Sequence, residues 1–385
     1  MSYDVMIISV IAGLMVVPRL LLRLGIPAPL TALAMGLFPM LFGYQLLGSE
    51  SWTLLATLGI TSLFLYSGIE VDVDGLFRER ARLITHLSIK LAMIFCVTRV
   101  LLYFFKIDYS LAILLTLAIV TPSTGFVINT LGRLRLSEAE NLWVNHKAIA
   151  GEVVALFVMF VALQASNPQL ASVDVVFNTL ALIGLILALP VILAFIGKVI
   201  IPWAPGSEFS LLIVMGIVAG YATNSLGVYE LVGAFLVGLV ATLLKGKIPA
   251  MASEKNLDAI RLFATFFIPF YFFVAGTKFP EEALTVDAIV LGTLLLVIVT
   301  PIRWLLVWFE RRLTHDESQF SSLKVSIALT PTLLFTLVIS EVLLDRGGIT
   351  SVVYGALVTY AVLNTVLPTL LFAGFKLKDH TGGTQ

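Results

Sequence analysis

The stretch Ala148-Ile149-Ala150-Gly151-Glu152-Val153-Val154-Ala155-Leu156-Phe157 sets one carboxylate in a run otherwise free of charge. Such a run reads as a membrane-crossing helix. A charge held in hydrocarbon costs roughly 2.5–3.5 kcal/mol on insertion scales, and an acid in that place is by default one that handles a proton or an ion. Glu152 is expected roughly 12 Å inside the helix end near Asn145, at about 1.5 Å per residue. The short stem of a glutamate does not snorkel from there. The plain alternative is a buried glutamate paired with a neighbouring helix.

Working outward, composition agrees with a membrane protein. The 385 residues are 59% hydrophobic and 12% charged, against about 25% charged in soluble domains. The formal net charge is +0, so nothing points to nucleic acid or an acidic partner. Cys96 stands alone, which excludes an internal disulfide and a cysteine-cluster metal site. A helix needs about 20 apolar residues to cross a bilayer. By that rule the chain is expected to be all-α, with thirteen spans at roughly 3–22, 28–48, 51–70, 82–105, 108–132, 141–164, 172–200, 209–226, 228–244, 258–278, 285–309, 322–344 and 348–375. The first run lacks a charged leader and a cleavage site and is expected to be kept as a span.

Charge placement gives an orientation. One set of expected loops holds most of the basic residues, among them Arg19, Arg78, Arg133, Lys147, Lys245 and Arg311, and the opposite set holds only Lys106, Lys278 and Arg346. The richer side is expected in the cytoplasm, with the N-terminus outside and the C-terminus inside.

Two proline sites suggest a repeat. Thr121-Pro122-Ser123-Thr124 lies in the fifth expected span and Thr330-Pro331-Thr332 in the twelfth, 209 residues apart. The same offset carries the starts of spans one to six close to those of spans eight to thirteen. The expected organisation is a first repeat over 1–171, a linker helix over 172–200, an inverted second repeat over 209–375 and a tail over 376–385. Paired broken helices at matching repeat positions are a secondary-transporter pattern. Proline removes a backbone donor and frees a carbonyl. Thr121, Ser123 and Thr124 add hydroxyl oxygens suited to a small hard cation, and Thr330 and Thr332 mark the second broken helix.

Further charges have bland readings beside functional ones. Arg303, roughly 10 Å deep at about 1.5 Å per residue, either pairs with Glu152 or snorkels inward. Lys90 and Arg99 are expected to snorkel. Glu70 and Asp72 are expected in a solvated ion-pair cluster or a weak cation funnel. Glu230, Glu341 and Asp345 fall at outer helix ends. His86 and His146 lie near the inner face as isolated titratable groups. Nucleotide loops, metal-spaced clusters and nucleophile–histidine pairs are absent from the sequence, so an enzyme is not expected, nor is a cofactor.

Further stretches carry a resemblance. Leu24-Gly25-Ile26-Pro27 through Gly36 is a proline–glycine opening. Phe64-Leu65-Tyr66-Ser67-Gly68-Ile69-Glu70-Val71-Asp72 is a signature ending in two acids. Gly227 followed by Leu231–Leu239, and the aromatic segment Phe266–Gly276, complete the order. Together they resemble the monovalent cation:proton antiporters of the sodium/hydrogen exchanger superfamily, in the bacterial cation:proton antiporter-2 branch. The resemblance implies crossed, discontinuous helices at Thr121–Thr124 and Thr330–Thr332, and a homodimer in the bacterial inner membrane. It places the ion-binding acid at Glu152, which would hold the monovalent cation, and a charge-compensating base at Arg303. The preceding position, Asp, Asn or Gln in relatives, is Gly151 here. The expected function is exchange of Na+ or K+ for H+, electroneutral because one carboxylate titrates beside a fixed arginine. A cation channel or gated efflux pathway and a sodium-coupled solute symporter are the alternatives. Lipid is the surrounding partner, and a regulatory subunit is expected, if at all, as a separate chain.

Overall fold

The computed structural model describes residues 3–23, 25–41, 50–71, 73–78, 80–124, 127, 136–165, 172–226, 229–246, 248, 253–314 and 319–381, and these residues form helices joined by short turns. In chain order they are α1 (Tyr3–Leu22), α2 (Ala28–Leu41), α3 (Glu50–Ile69), α4 (Val73–Arg78), α5 (Arg80–Phe105), α6 (Tyr109–Val120), α7 (Glu138–Ala165) and α8 (Ser172–Phe195). Then come α9 (Glu208–Ser225), α10 (Glu230–Leu243), α11 (Glu254–Thr277), α12 (Val286–Thr314), α13 (Gln319–Ala328), α14 (Leu333–Asp345) and α15 (Ser351–Thr381).

Among the described residues, nine helices are long and apolar enough to cross a membrane, or ten if α13 and α14, bent by 41° at their break, count as one span. Three more of the thirteen expected spans coincide with the shorter apolar helices Ala28–Phe38, Tyr109–Val120 and Glu230–Leu243. Among the described residues each of these is shorter than a straight crossing of a bilayer core requires.

The chain separates into two compact units, and neither follows the halves of the sequence. The first takes Met1–Gly75 and Leu163–Phe279, the second Leu76–Ala162 and Pro280–Gln385. Each unit therefore gathers helices from both expected repeats.

In the first unit α11 packs on α2 and α3, and α10 packs on α3 and α9. Glycines set these distances. A Cβ added to Gly68 on α3 would overlap the carbonyl oxygen of Phe235, and one on Gly238 of α10 would overlap that of Leu65. Small residues let backbones approach where lipid offers no hydrophobic drive for association.

In the second unit α12 packs on α15 and α13, α14 on α15 and α6, and α5 on α6. The interior of this unit is polar in places. Thr116, Thr121, Ser123, Thr336, Ser340 and Asn364 are all fully buried. Those groups surround the broken helices.

Candidate functional site

The two proline sites interrupt their helices, whereas Thr300-Pro301 lies inside the continuous α12. α6 ends at Val120, and Thr121 is extended at φ −89° and ψ 117°, the conformation favoured ahead of proline. On the other strand α13 ends at Ala328, and α14 begins at Leu333 after Pro331. Both interruptions are buried, so each freed backbone group needs a partner inside the protein.

Those partners come from the opposite break and from neighbouring helices. Ser123 N donates to the Pro331 carbonyl at 2.8 Å. The Ser123 hydroxyl oxygen accepts from Leu334 N at 3.0 Å, occupying one of the open donors at the start of α14. Thr336 Oγ1 donates to the Ala118 carbonyl at 2.6 Å, and the Tyr360 hydroxyl donates to that of Ile119 at 2.6 Å. Thr332 Oγ1 accepts from Asn364 Nδ2 at 3.3 Å. Thr124 is buried, and its hydroxyl makes no hydrogen bond among the described residues.

Two cations complete the accounting. Lys90 Nζ donates to the Val120 carbonyl at 3.1 Å and reaches Thr121 Oγ1 at 3.4 Å. Arg303 donates to the Leu329 carbonyl at 2.8 Å, to that of Thr330 at 2.9 Å and to the Tyr360 hydroxyl at 3.2 Å. Trp304 Nε1 holds Thr330 Oγ1 at 2.8 Å. The snorkelling expected of Lys90 is thus overturned, because its ammonium turns inward onto a helix end. Arg303 is also buried, and these donors go to backbone carbonyls and a tyrosine rather than to Glu152. The C-terminal end of a helix carries about half a negative charge, which accounts for a cation at each.

Glu152 lies on α7 and is 1% exposed. Its neighbour Gly151 passes the first break: a Cβ there would lie 3.9 Å from Pro122 Cδ and 3.9 Å from Lys90 Cε. α7 therefore delivers the carboxylate's helix directly to the interrupted strand. A cavity of about 50 Å³ is lined by Val120, Pro122, Gly151, Lys90 and Arg303 and also by His86, Lys147 and Glu310. That is room for a few waters.

The last three residues form a cluster that sequence reading missed. His86 Nδ1 is 2.5 Å from Glu310 Oε1, and Lys147 pairs with the other oxygen. Glu310 and His86 are buried, and the edge of the imidazole meets Trp143 at a centroid distance of 5.0 Å. His86 is not an isolated group. Helical spacing carried the signal: His86 and Lys90 are four apart, as are Lys147 and Gly151, so each pair shares a face.

Other expected residues stand apart. Arg99 is exposed on α5. Glu70, at the end of α3, accepts from the Tyr66 hydroxyl, and burial pushes its carboxyl above the usual range. Asp72, Gly227 and Arg133 lie outside the described residues.

Comparison with known proteins completes the description. The family described as sodium/hydrogen exchanger, transmembrane, matches residues 6–374. The putative Na(+)/H(+) antiporter YjbQ of Bacillus subtilis is 25% identical over 389 residues, covering 91% of this chain and 59% of that protein. The chain thus spans about three fifths of that relative's length. The sodium proton antiporter MjNhaP1 of Methanocaldococcus jannaschii, solved at pH 8, shares the fold with a TM-score of 0.71 at 14% identity, over 97% of this chain and 98% of that one. A second structure of that antiporter, from electron microscopy, superposes with a TM-score of 0.61 over 99% of each chain.

Proposed function

This chain belongs to the sodium/hydrogen exchanger family, and on that premise we propose that it exchanges Na+ or K+ for H+ by alternating access, with Glu152 as the shared binding group. The observation that carries the reading is a fully buried carboxylate one residue from the point where α7 crosses a broken helix. The helix ends at that crossing already hold Lys90 and Arg303. Glu152 brings the carboxylate to this place, and a proton and a metal cation cannot share it.

Thr121, Ser123 and Thr124 on one strand, and Thr330 and Thr332 on the other, frame the site. The bonds of Ser123 to Pro331 and Leu334 tie the two breaks together, and the Thr124 hydroxyl has no protein acceptor or donor among the described residues and is a ligand oxygen for the cation. The inverted repeats over 1–171 and 209–375, the linker over 172–200 and the tail over 376–385 belong to the same reading. So do a homodimer in the inner membrane and a cytoplasmic C-terminus. One titrating carboxylate predicts one cation per proton.

The test is dissipation of a pH gradient in proteoliposomes on adding Na+ or K+. Glu152→Gln is expected to abolish it while the protein remains folded and monodisperse. Sustained exchange by that variant overturns the assignment. Ion flux that persists without any opposing proton movement favours a channel instead.

A further inference from the structure

Asn364 brings an unmatched oxygen to the crossing from a third helix. It lies on α15, fully buried, one turn beyond Tyr360. Residues four apart share a helix face, and hydrogen bonds show where this face points. Tyr360 reaches the Ile119 carbonyl beside the first break, and Asn364 Nδ2 reaches Thr332 Oγ1, 3.3 Å away, in the second. Asn364 Oδ1 is buried and makes no hydrogen bond among the described residues.

The neighbouring hydroxyls fix which end of the amide is which. Thr336 has a single hydroxyl proton, and the Ala118 carbonyl at 2.6 Å takes it. The Thr332 hydroxyl lies 2.9 Å from Thr336 Oγ1, so the proton between them comes from Thr332. Thr332 Oγ1 then has only lone pairs left and needs a donor from Asn364. Nδ2 is that donor, which turns Oδ1 away from Thr332.

A second oxygen of the same residue is also released. Pro368 lies inside α15 and has no N–H for the carbonyl four residues earlier, which is that of Asn364. A buried acceptor left without a donor is costly inside a membrane. The cations at this crossing are engaged elsewhere, Lys90 on Val120 and Arg303 on Leu329 and Thr330. A guest that suits such acceptors is positively charged.

We propose that Asn364 is a ligand of the transported monovalent cation, offering neutral oxygen from α15 where the ion has shed water and needs several oxygens in its place. This deepens the exchange reading and rests on it, since a cation reaches Asn364 only if the crossing is on its route.

The experiment separates the amide's oxygen from its donor. Asn364→Asp keeps an oxygen and loses the N–H, and Asn364→Leu loses both at similar shape. Each is reconstituted beside Glu152→Gln, and KM and maximal rate are measured for Na+ and K+, with melting in NaCl, KCl and choline chloride. Asn364→Leu is expected to raise KM about tenfold, the weight of one oxygen contact to a charge, with the maximal rate within about threefold. The stabilisation that bound Na+ or K+ confers on melting is expected to shrink with it. Asn364→Asp is expected to show a KM no higher than the parent. Unchanged KM and salt-dependent melting in Asn364→Leu overturn the proposal. So does an equal rise in KM for both variants, which would assign the effect to the bond with Thr332. Asn364→Ser and Asn364→Ala replace the aspartate and leucine variants if those do not fold, with the same two outcomes. Where Glu152→Gln still exchanges but Asn364→Leu weakens the salt-dependent melting, the exchange reading of Glu152 fails and the Asn364 ligand stands.

Discussion

Deleting the Arg303 side chain would leave the carbonyls of Leu329 and Thr330 and the Tyr360 hydroxyl without their donor in a buried place. Arg303→Ala is expected to cost about 2–3 kcal/mol, the loss of charged hydrogen bonds with acceptors left behind. Arg303→Lys should recover only part, because an ammonium lacks the forked planar donors that reach two carbonyls at once. Arg99→Ala, on an exposed position, should stay within about 0.5 kcal/mol. Melting in detergent checks all three, and an Arg303→Ala protein that melts with the parent would show that the carbonyls find other donors. The depth of Lys90 and Arg303 was legible in the sequence, and their direction was not. A long basic side chain at that depth reaches either the headgroups or the interior. Only the position of the open carbonyls of Val120, Leu329 and Thr330 decides between them. The burial of Glu152 was legible because no other residue in the run around it offers a charge.

At the scale of elements, the breaks at Pro122 and Pro331 were legible from their matching spacing and not from Thr-Pro alone, since Thr300-Pro301 lies inside the continuous α12. The close helix contacts were less visible. Gly68 and Gly238 read as ordinary membrane glycines until α3 and α10 are seen to touch through them. Gly68→Ala drives a Cβ into the Phe235 carbonyl oxygen and is expected to destabilise by about 1–3 kcal/mol or more. Gly184→Ala, on α8 with nothing within 4 Å of its added Cβ, is expected to melt no lower than the parent. Equal melting for the two variants would mean the α3–α10 contact is loose. The end of α6 at Val120 could not be read from hydropathy, because apolar residues continue in the chain beyond Thr121-Pro122 and periodicity does not register where the backbone is extended.

For the whole molecule, the division into Met1–Gly75 with Leu163–Phe279, and Leu76–Ala162 with Pro280–Gln385, joins segments far apart in the chain. Hydropathy reports spans one at a time, so nothing in it could have paired them. Family order was legible because motifs near the start and through the middle keep their sequence, and residues 6–374 carry the match. At this scale the prediction is electrical. Exchange of one cation per proton moves no net charge, so a membrane potential imposed on proteoliposomes should leave its rate unchanged. A potential-dependent rate overturns that stoichiometry. The reciprocal bonding at Ser123, whose nitrogen donates to Pro331 and whose hydroxyl receives Leu334, has an engineering consequence. A chimera that imports one strand from a relative and keeps the other native would inherit half a clasp, so grafts between exchangers of this kind should transplant both strands together or neither.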